Sequence, residues 1–291
     1  MNAFRQGGNP AFVLRHVKRE VPDFRDLNLP ADQLKALSQR KRGLVLATGI
    51  AGSGKSTTLA SMIENINANA SKHIVTIEDP IEFLFEDKLS VVSQREVGLD
   101  TFDFAQGLKA CMRQSPDVIF IGEIRDRDTV EAAIAAAETG HLVLSTMHTV
   151  NAVQTVERFL TFYPPHQHQL VRLQLSLNLA GVISLRLIRR KDGAGLVPAC
   201  ELLLSTPTVR EILNEGRTPE LTKTLQEGGY YGTQTFNQSL YALYEAGNIS
   251  YEDAVANSDN PDELKLQLRG IQSGIRYDAN VGAQPTPRTR L

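Results

Sequence analysis

"ATGIAGSGKSTTLASMI", Ala47 to Ile63, decides the fold. Gly49, Gly54, Lys55 and Ser56 stand in the Gly-x-x-x-x-Gly-Lys-Ser spacing of a Walker A loop. The preceding "RGLVLATG" is a short apolar stretch that reads as a buried strand. The following "KSTTLASMIENI" places Leu59, Met62, Ile63 and Ile66 at helical spacing. Strand, glycine loop, helix is the context that gives this spacing its meaning. The glycines let the backbone approach a ligand closely, so loop N–H groups converge on one concavity and the helix adds its positive dipole end. A nucleotide polyphosphate, ATP, fits such a cradle, which is expected to run through Gly49, Gly52, Ser53, Gly54, Lys55, Ser56 and Thr57. Lys55 would reach the β- and γ-phosphates, and the Ser56 hydroxyl would bind Mg²⁺.

The remaining numbers bound the answer without naming a substrate. At 291 residues the chain can bury a substantial core in one large or two smaller domains. The net charge of −2 demands neither nucleic acid nor a membrane surface. Residues 1–42 carry nine Lys and Arg against four Asp and Glu, which suits either a solvated basic face or a partner contact. Only two cysteines, Cys111 and Cys200, are present and they are far apart, so a zinc site or disulfide framework is not expected and a reducing cytoplasm is. With no secretory signal and no 18-residue apolar run, a soluble protein is expected, meeting membranes through partners.

Four regions follow from the pattern. Residues 1–30 read as the end of a preceding module plus a linker, with strand-like alternation around Val13, His16 and Val17. Residues 31–205 alternate strands and helices as a parallel α/β sheet does, with "GLVLAT", "HIVTIE", "LSVVSQ", "VIFIGE", "HLVLST" and "VISLRLI" as strands. From 206 to 273 short helical stretches stopped by Gly, Asn or Pro suggest a compact helical subdomain. Residues 274–291 are poor in apolar side chains and are expected to be disordered.

Hydrolysis needs more than a phosphate cradle. "PDVIFIGEIRD" ends a hydrophobic strand on Gly122 and Glu123, placing a carboxylate at the strand's C-terminal end, the edge where open α/β sheets bind ligands. Glu123 is the leading candidate to join the metal shell and position the attacking water, against the reading of a plain surface glutamate. "IVTIEDPIEF" carries Glu78, Asp79 and Glu82 after another strand. These acids either cluster around a cation, Glu78 and Asp79 as ligands and Glu82 as an alternative catalytic acid, or belong to a solvated loop. "TGHLVLSTMHT" brackets a strand with His141 and His148, too far apart to chelate one metal. His148 could hydrogen-bond a γ-phosphate; His141 is either a site residue or a structural hydrogen bonder.

Taken together, "GSGKSTTLA", "TIEDPIEF", "QREVG", "PDVIFIGEIRD" and "AAETGHLVLSTMHT" resemble the secretion ATPase superfamily of type II secretion and type IV pili. The first, second, fourth and fifth of these look like its Walker A, Asp box, Walker B and His box, and the resemblance covers residues 1 to about 270. Within it the chain resembles the pilus-retraction ATPases PilT and PilU. "VPDFRDLNLP" and "QLSLNLAGVISLRLIRRKDG" lean toward PilU, while "TVREILNE" matches the AIRNLIRE segment of PilT only partly. Extension and secretion members usually carry a tetracysteine zinc element, which two cysteines cannot build.

The resemblance implies a RecA-like core, a PAS-like N-terminal domain of which this chain holds only the last strands, and a homohexameric ring. It further implies a cytoplasmic motor peripheral to the inner membrane, docked on the platform protein of the pilus machine, with a paralogous retraction ATPase as a possible further partner. Arg5, Arg15, Arg19 and Arg25 are the alternative candidates for a phosphate-side arginine, with Arg125 and Arg127 as further candidates to reach this chain's own or a neighbour's nucleotide. Three other readings stand beside pilus retraction. One is an accessory ATPase assisting a second motor, another a secretion or extension ATPase, and the third a RecA-like DNA translocase. The last is disfavoured by the lack of a basic, aromatic-lined strand for nucleic acid.

Overall fold

The computed structural model describes residues 2–14 and 16–269, so Arg15 and the tail from 274 lie outside the described residues. The chain opens with a hairpin, β1 (Asn2–Gln6) paired antiparallel to β2 (Asn9–Val13). Its two-residue turn is Gly7–Gly8, both at positive φ, the backbone a tight hairpin turn requires. β2 falls at the start of the alternating stretch that ends beyond Val17, whereas β1 precedes it; the Gly-Gly pair was the overlooked signal.

A seven-stranded sheet follows. α1 (Ala31–Ser38) leads into β3 (Gly43–Thr48), and α2 (Lys55–Asn69) crosses to β4 (His73–Glu78) and the edge strand β5 (Val91–Glu96). Then α3 (Phe104–Cys111), β6 (Val118–Ile121), α4 (Arg127–Glu138) and β7 (Leu142–Met147) return the chain to the middle. After α5 (Ala152–Thr161) and α6 (His168–Asn178), β8 (Leu179–Arg189) and β9 (Leu196–Leu204) complete the sheet, whose order is β5-β4-β6-β7-β3-β8-β9. Every pairing is parallel except β8 with β9.

The apolar runs are continuous because both sheet faces are covered. Leu44 and Leu46 of β3 enter one core with Ile119 and Ile121 of β6, beneath α3 to α6. The alternate residues Val45, Ala47, Val118 and Phe120 enter the other core, with Leu59, Met62 and Ile63 of α2 and Leu34 and Leu37 of α1.

Two strand expectations are corrected and one strand is added. β5 begins at Val91 rather than Leu89, because the N–H groups of Leu89 and Ser90 donate to the Asn67 carbonyl at the end of α2. β8 begins at Leu179, three residues before "VISLRLI", since β3 pairs with it from that residue. β9 was not expected at all. Pro198 and Glu201 break its pattern, yet β9 is the outer edge of the sheet, where a proline's missing N–H is tolerated.

The C-terminal helices divide between two cores. α7 (Pro207–Glu215) and α8 (Leu221–Glu227) bury Val209, Ile212, Leu213, Leu221 and Leu225 in the main core. α9 (Phe236–Glu245), α10 (Tyr251–Ala256) and α11 (Pro261–Leu268) instead form a small core with Ile188, Val197 and Ala199 of the β8–β9 ribbon. Among the described residues no helix is long and apolar enough to cross a membrane.

Candidate nucleotide site

In this strand order β7 lies between β3 and β6, and β4 lies beyond β6. All four strands are parallel, so their C-terminal ends open at one edge. Side by side there stand the loop after β3, His148 after β7, Glu123 after β6, and Glu78 at the end of β4 with Asp79 and Glu82 beyond it. They enclose a cavity of about 340 Å³ whose lining includes Gly52, Lys55, Ser56, Glu78, Asp79, Glu82, Glu123, Arg125 and His148.

The loop itself is tightly specified. Gly49 sits at φ +142°, and a Cβ there would meet the Ser53 hydroxyl and stand 2.6 Å from the Leu185 carbonyl oxygen. Gly54, at φ +98°, caps the N-terminus of α2, whose first residue is Lys55. Lys55 is only 8% exposed, and its Nζ donates to the carbonyls of Gly49 and Ile50, both at 2.9 Å. Burial pulls its ammonium below the ordinary lysine range, with Glu123 and Glu82 pulling it back up. Ser53 Oγ is buried without a hydrogen-bond partner.

Glu123 is held from two sides. Arg125 bonds its Oε1, and His148 Nε2 stands 3.5 Å from its Oε2. Behind it, Thr146 Oγ1 donates to the Gly122 carbonyl at 2.7 Å, tying β7 to the strand end that carries the acid. Asp126 caps α4 by accepting from the Thr129 N–H at 2.8 Å, which turns the chain away immediately after Arg125.

The acids after β4 are clamped by β5, an arrangement sequence reasoning missed. Gln94 Nε2 donates to Glu78 Oε1 at 3.2 Å and to the Phe83 carbonyl at 2.8 Å, while its Oε1 accepts from the Phe85 N–H at 2.9 Å. Glu96 Oε2 accepts from the Ile81 N–H at 3.2 Å. Both belong to "QREVG", whose polar residues on a strand are the signal that could have found them. Glu78 also accepts from Thr76 at 2.7 Å, and burial raises its carboxyl above the usual range despite these donors. The segment after β2 adds a further brace. The Lys18 N–H donates to the Glu82 carbonyl at 3.0 Å, and the Leu84 N–H donates to the Lys18 carbonyl at 2.8 Å.

Not every expected residue reaches the cavity. His141 sits at the start of β7, a strand's length or roughly 20 Å from the edge where His148 lies. Its Nδ1 is 2.9 Å from the Ala136 carbonyl at the end of α4. It does not line the cavity. Arg127 bonds Glu131 at 2.7 Å and Gln167 at 3.1 Å and covers the Tyr163 ring, turned along α4. Arg5, Arg19 and Arg25 do not line the cavity.

The cavity therefore offers a phosphate cradle, a hydroxyl at Ser56 and several carboxylates at one sheet edge. The family model for a Type II/IV secretion system protein matches residues 8–274. The chain belongs to that family. The type IV pilus ATPase PilU of Pseudomonas aeruginosa is 44% identical over 269 residues, spanning 92% of this chain and 70% of that protein. The type IV pilus retractation ATPase PilT of the same organism is 41% identical, spanning 91% and 76%. A crystal structure of the pilus retraction motor PilT with bound ADP superposes with a TM-score of 0.84 at 48% identity, covering 90% of this chain and 74% of that one. As a member of the family this chain is a nucleotide-using ATPase with a RecA-like core.

Proposed function

We propose that this chain is a Mg²⁺-dependent ATPase motor of type IV pilus retraction, working as a homohexameric ring. The observation that carries the reading is the convergence of Lys55, Ser56, Glu123 and His148 on one cavity at the edge of a parallel sheet. The motor would be cytoplasmic and would act on the platform protein of the pilus machine at the inner membrane, disassembling pili and so driving twitching. The names of the PilU and PilT relatives support this assignment over secretion or extension.

In this reading Lys55 exchanges the Gly49 and Ile50 carbonyls for β- and γ-phosphate oxygens, keeping its charge satisfied throughout. Glu123 orients a water in line with the γ-phosphorus and accepts its proton, while Arg125 fixes the carboxylate's other oxygen. His148 stands beside that water and the γ-phosphate, where a donor stabilises charge as the β–γ bond breaks. No three acidic, histidine or cysteine side chains among the described residues are grouped to hold a metal unaided. The oxygen donors of Ser56, Glu123, Glu78 and Asp79 nevertheless suit a hard cation that keeps waters and takes the rest of its shell from phosphates. When bound, Mg²⁺ would neutralise charge on the β- and γ-phosphate oxygens.

Pilus retraction events counted in the source organism test the assignment. Cells carrying Lys55→Ala in place of the native residue should extend pili but fail to retract them. The PilU-leaning segments favour a second reading, an accessory motor. It predicts a defect that appears only when a second retraction ATPase is also disabled.

A further inference from the structure

One buried carboxylate takes no part in this chemistry. Glu201 of β9 is 6% exposed, and its Oε1 accepts from the N–H of Ala152, the first residue of α5, at 2.7 Å. The same oxygen accepts from Ser184 Oγ of β8 at 3.4 Å, and Ser184 Oγ accepts from Thr48 Oγ1 of β3 at 2.9 Å. Thr48 is register partner of Ser184, and Ser184 of Glu201, so three polar side chains stand in a row across three adjacent strands. All three are buried, where aliphatic residues would fill the same positions without the cost of desolvating a carboxylate.

The two ends of the row define what it joins. Thr48 is the last residue of β3, followed at once by Gly49 of the phosphate loop. Ala152 opens α5 four residues after His148, and Asn151 caps that helix through the Gln154 N–H at 2.8 Å. Between them Thr149 Oγ1 meets Thr155 Oγ1 at 2.7 Å, so the stretch leaving His148 is pinned to the first turns of α5.

We propose that Glu201 is a positioning residue that couples the phosphate loop to the His148 loop through the Thr48–Ser184–Glu201–Ala152 hydrogen bonds. The inference rests on the ATPase reading of the cavity and deepens it. Nucleotide entering the loop shifts Thr48, and the row carries that shift to the base of the His148 loop. Because every donor in the row points toward Glu201, its ionised form holds the row best. The charged groups that bear on it are Arg186 of β8, which attracts, and Asp259 between α10 and α11, which repels; buried Cys200 adjoins it, and the N-terminus of α5 adds a favourable dipole. Burial, the largest influence, raises the Glu201 carboxyl to about 7, so the row loosens as pH falls through neutrality.

The test is steady-state Mg²⁺-ATP hydrolysis between about pH 6 and 9, with fluorescent ADP affinity, on the full chain and on Glu201→Ala, Glu201→Gln, Ser184→Ala and Glu123→Gln. Glu201→Ala and Ser184→Ala should lower kcat about tenfold while nucleotide affinity stays within about twofold. Glu201→Gln keeps the acceptor for Ala152 and should recover most of kcat while losing the step near pH 7. Ser184→Ala leaves the Ala152 clamp intact, so it decides the matter if Glu201→Ala does not fold. Wild-type kcat in both alanine variants, or equal losses in Glu201→Gln and Glu201→Ala with no change of pH profile, would overturn the proposal. In either case a silent Glu123→Gln shows that the ATPase reading survives, whereas an active one shows that it has failed too.

Discussion

His148 Nε2 stands 3.5 Å from Glu123 Oε2, while Arg125 bonds the other oxygen of the same carboxylate. One acid is thus shared between a cation on its own loop and an imidazole from the neighbouring strand end, which leaves it little freedom to rotate. Their strands, β6 and β7, are adjacent, so the relationship follows from sheet order.

This geometry predicts that His148→Ala lowers kcat by about 10–100-fold, the scale of losing one donor beside developing charge, with nucleotide affinity nearly unchanged. Single-turnover hydrolysis alongside equilibrium binding separates the two effects. An affinity loss as large as the rate loss would make His148 a ground-state contact instead.

Lys55 lines the cavity where the phosphates would lie, and its partners Gly49 and Ile50 are carbonyls of the phosphate loop itself, so its removal should cost binding far more than folding. Excess ATP should raise the thermal midpoint of the wild-type chain by several degrees, since ligand at about 100 times Kd adds about 2.7 kcal/mol. Lys55→Ala should show no such rise, with its ligand-free midpoint close to wild type.

Two glycines of the loop separate strain from collision. At Gly49 a Cβ meets Ser53 and the Leu185 carbonyl, whereas at Gly52, φ +76°, it meets nothing within 4 Å. Gly52→Ala should therefore cost about 1–2 kcal/mol of local strain and weaken nucleotide binding modestly. Gly49→Ala should abolish binding, because Leu185 is backbone of β8 and cannot move aside. Titration with a fluorescent nucleotide ranks the two.

Glu201 carries a stability signature as well. Its folded carboxyl, raised to about 7, stands above the ordinary value of 4.5, so its relative stabilisation is full below about 4.5 and is lost as pH rises through about 7. Glu201→Gln removes that loss. Its stability in urea should exceed wild type at pH 8, by on the order of 1–3 kcal/mol, and the gap should narrow as pH falls toward 4.5.

The legible parts of the sequence were those with local causes. Gly49 to Ser56 specify the loop by themselves, and Val118 to Ile121 form a run too apolar for anything but a strand buried on both faces. What could not be read depends on partners distant in the chain. The clamp by Gln94 exists only because β5 lies beside β4, and nothing near residue 94 announces that its amide will meet Glu78, Phe83 and Phe85. That His141 and His148 stand at opposite ends of one strand was legible, but that the Ala136 carbonyl would take up the His141 ring was not. β9 escaped notice because an edge strand accepts a proline that a central strand would refuse, and because the buried Glu201 finds its partner in the N–H of Ala152, far away in the chain.

The central claim is that Glu123 positions the water attacking ATP held by the phosphate loop. Mg²⁺-dependent ATP hydrolysis by the chain and by Glu123→Gln, with ATP affinity measured on both, tests it most directly. The account predicts turnover in the wild type and a loss of about 10²-fold or more in the variant, with affinity retained. Hydrolysis by Glu123→Gln at the wild-type rate would contradict it and move the role to Glu82.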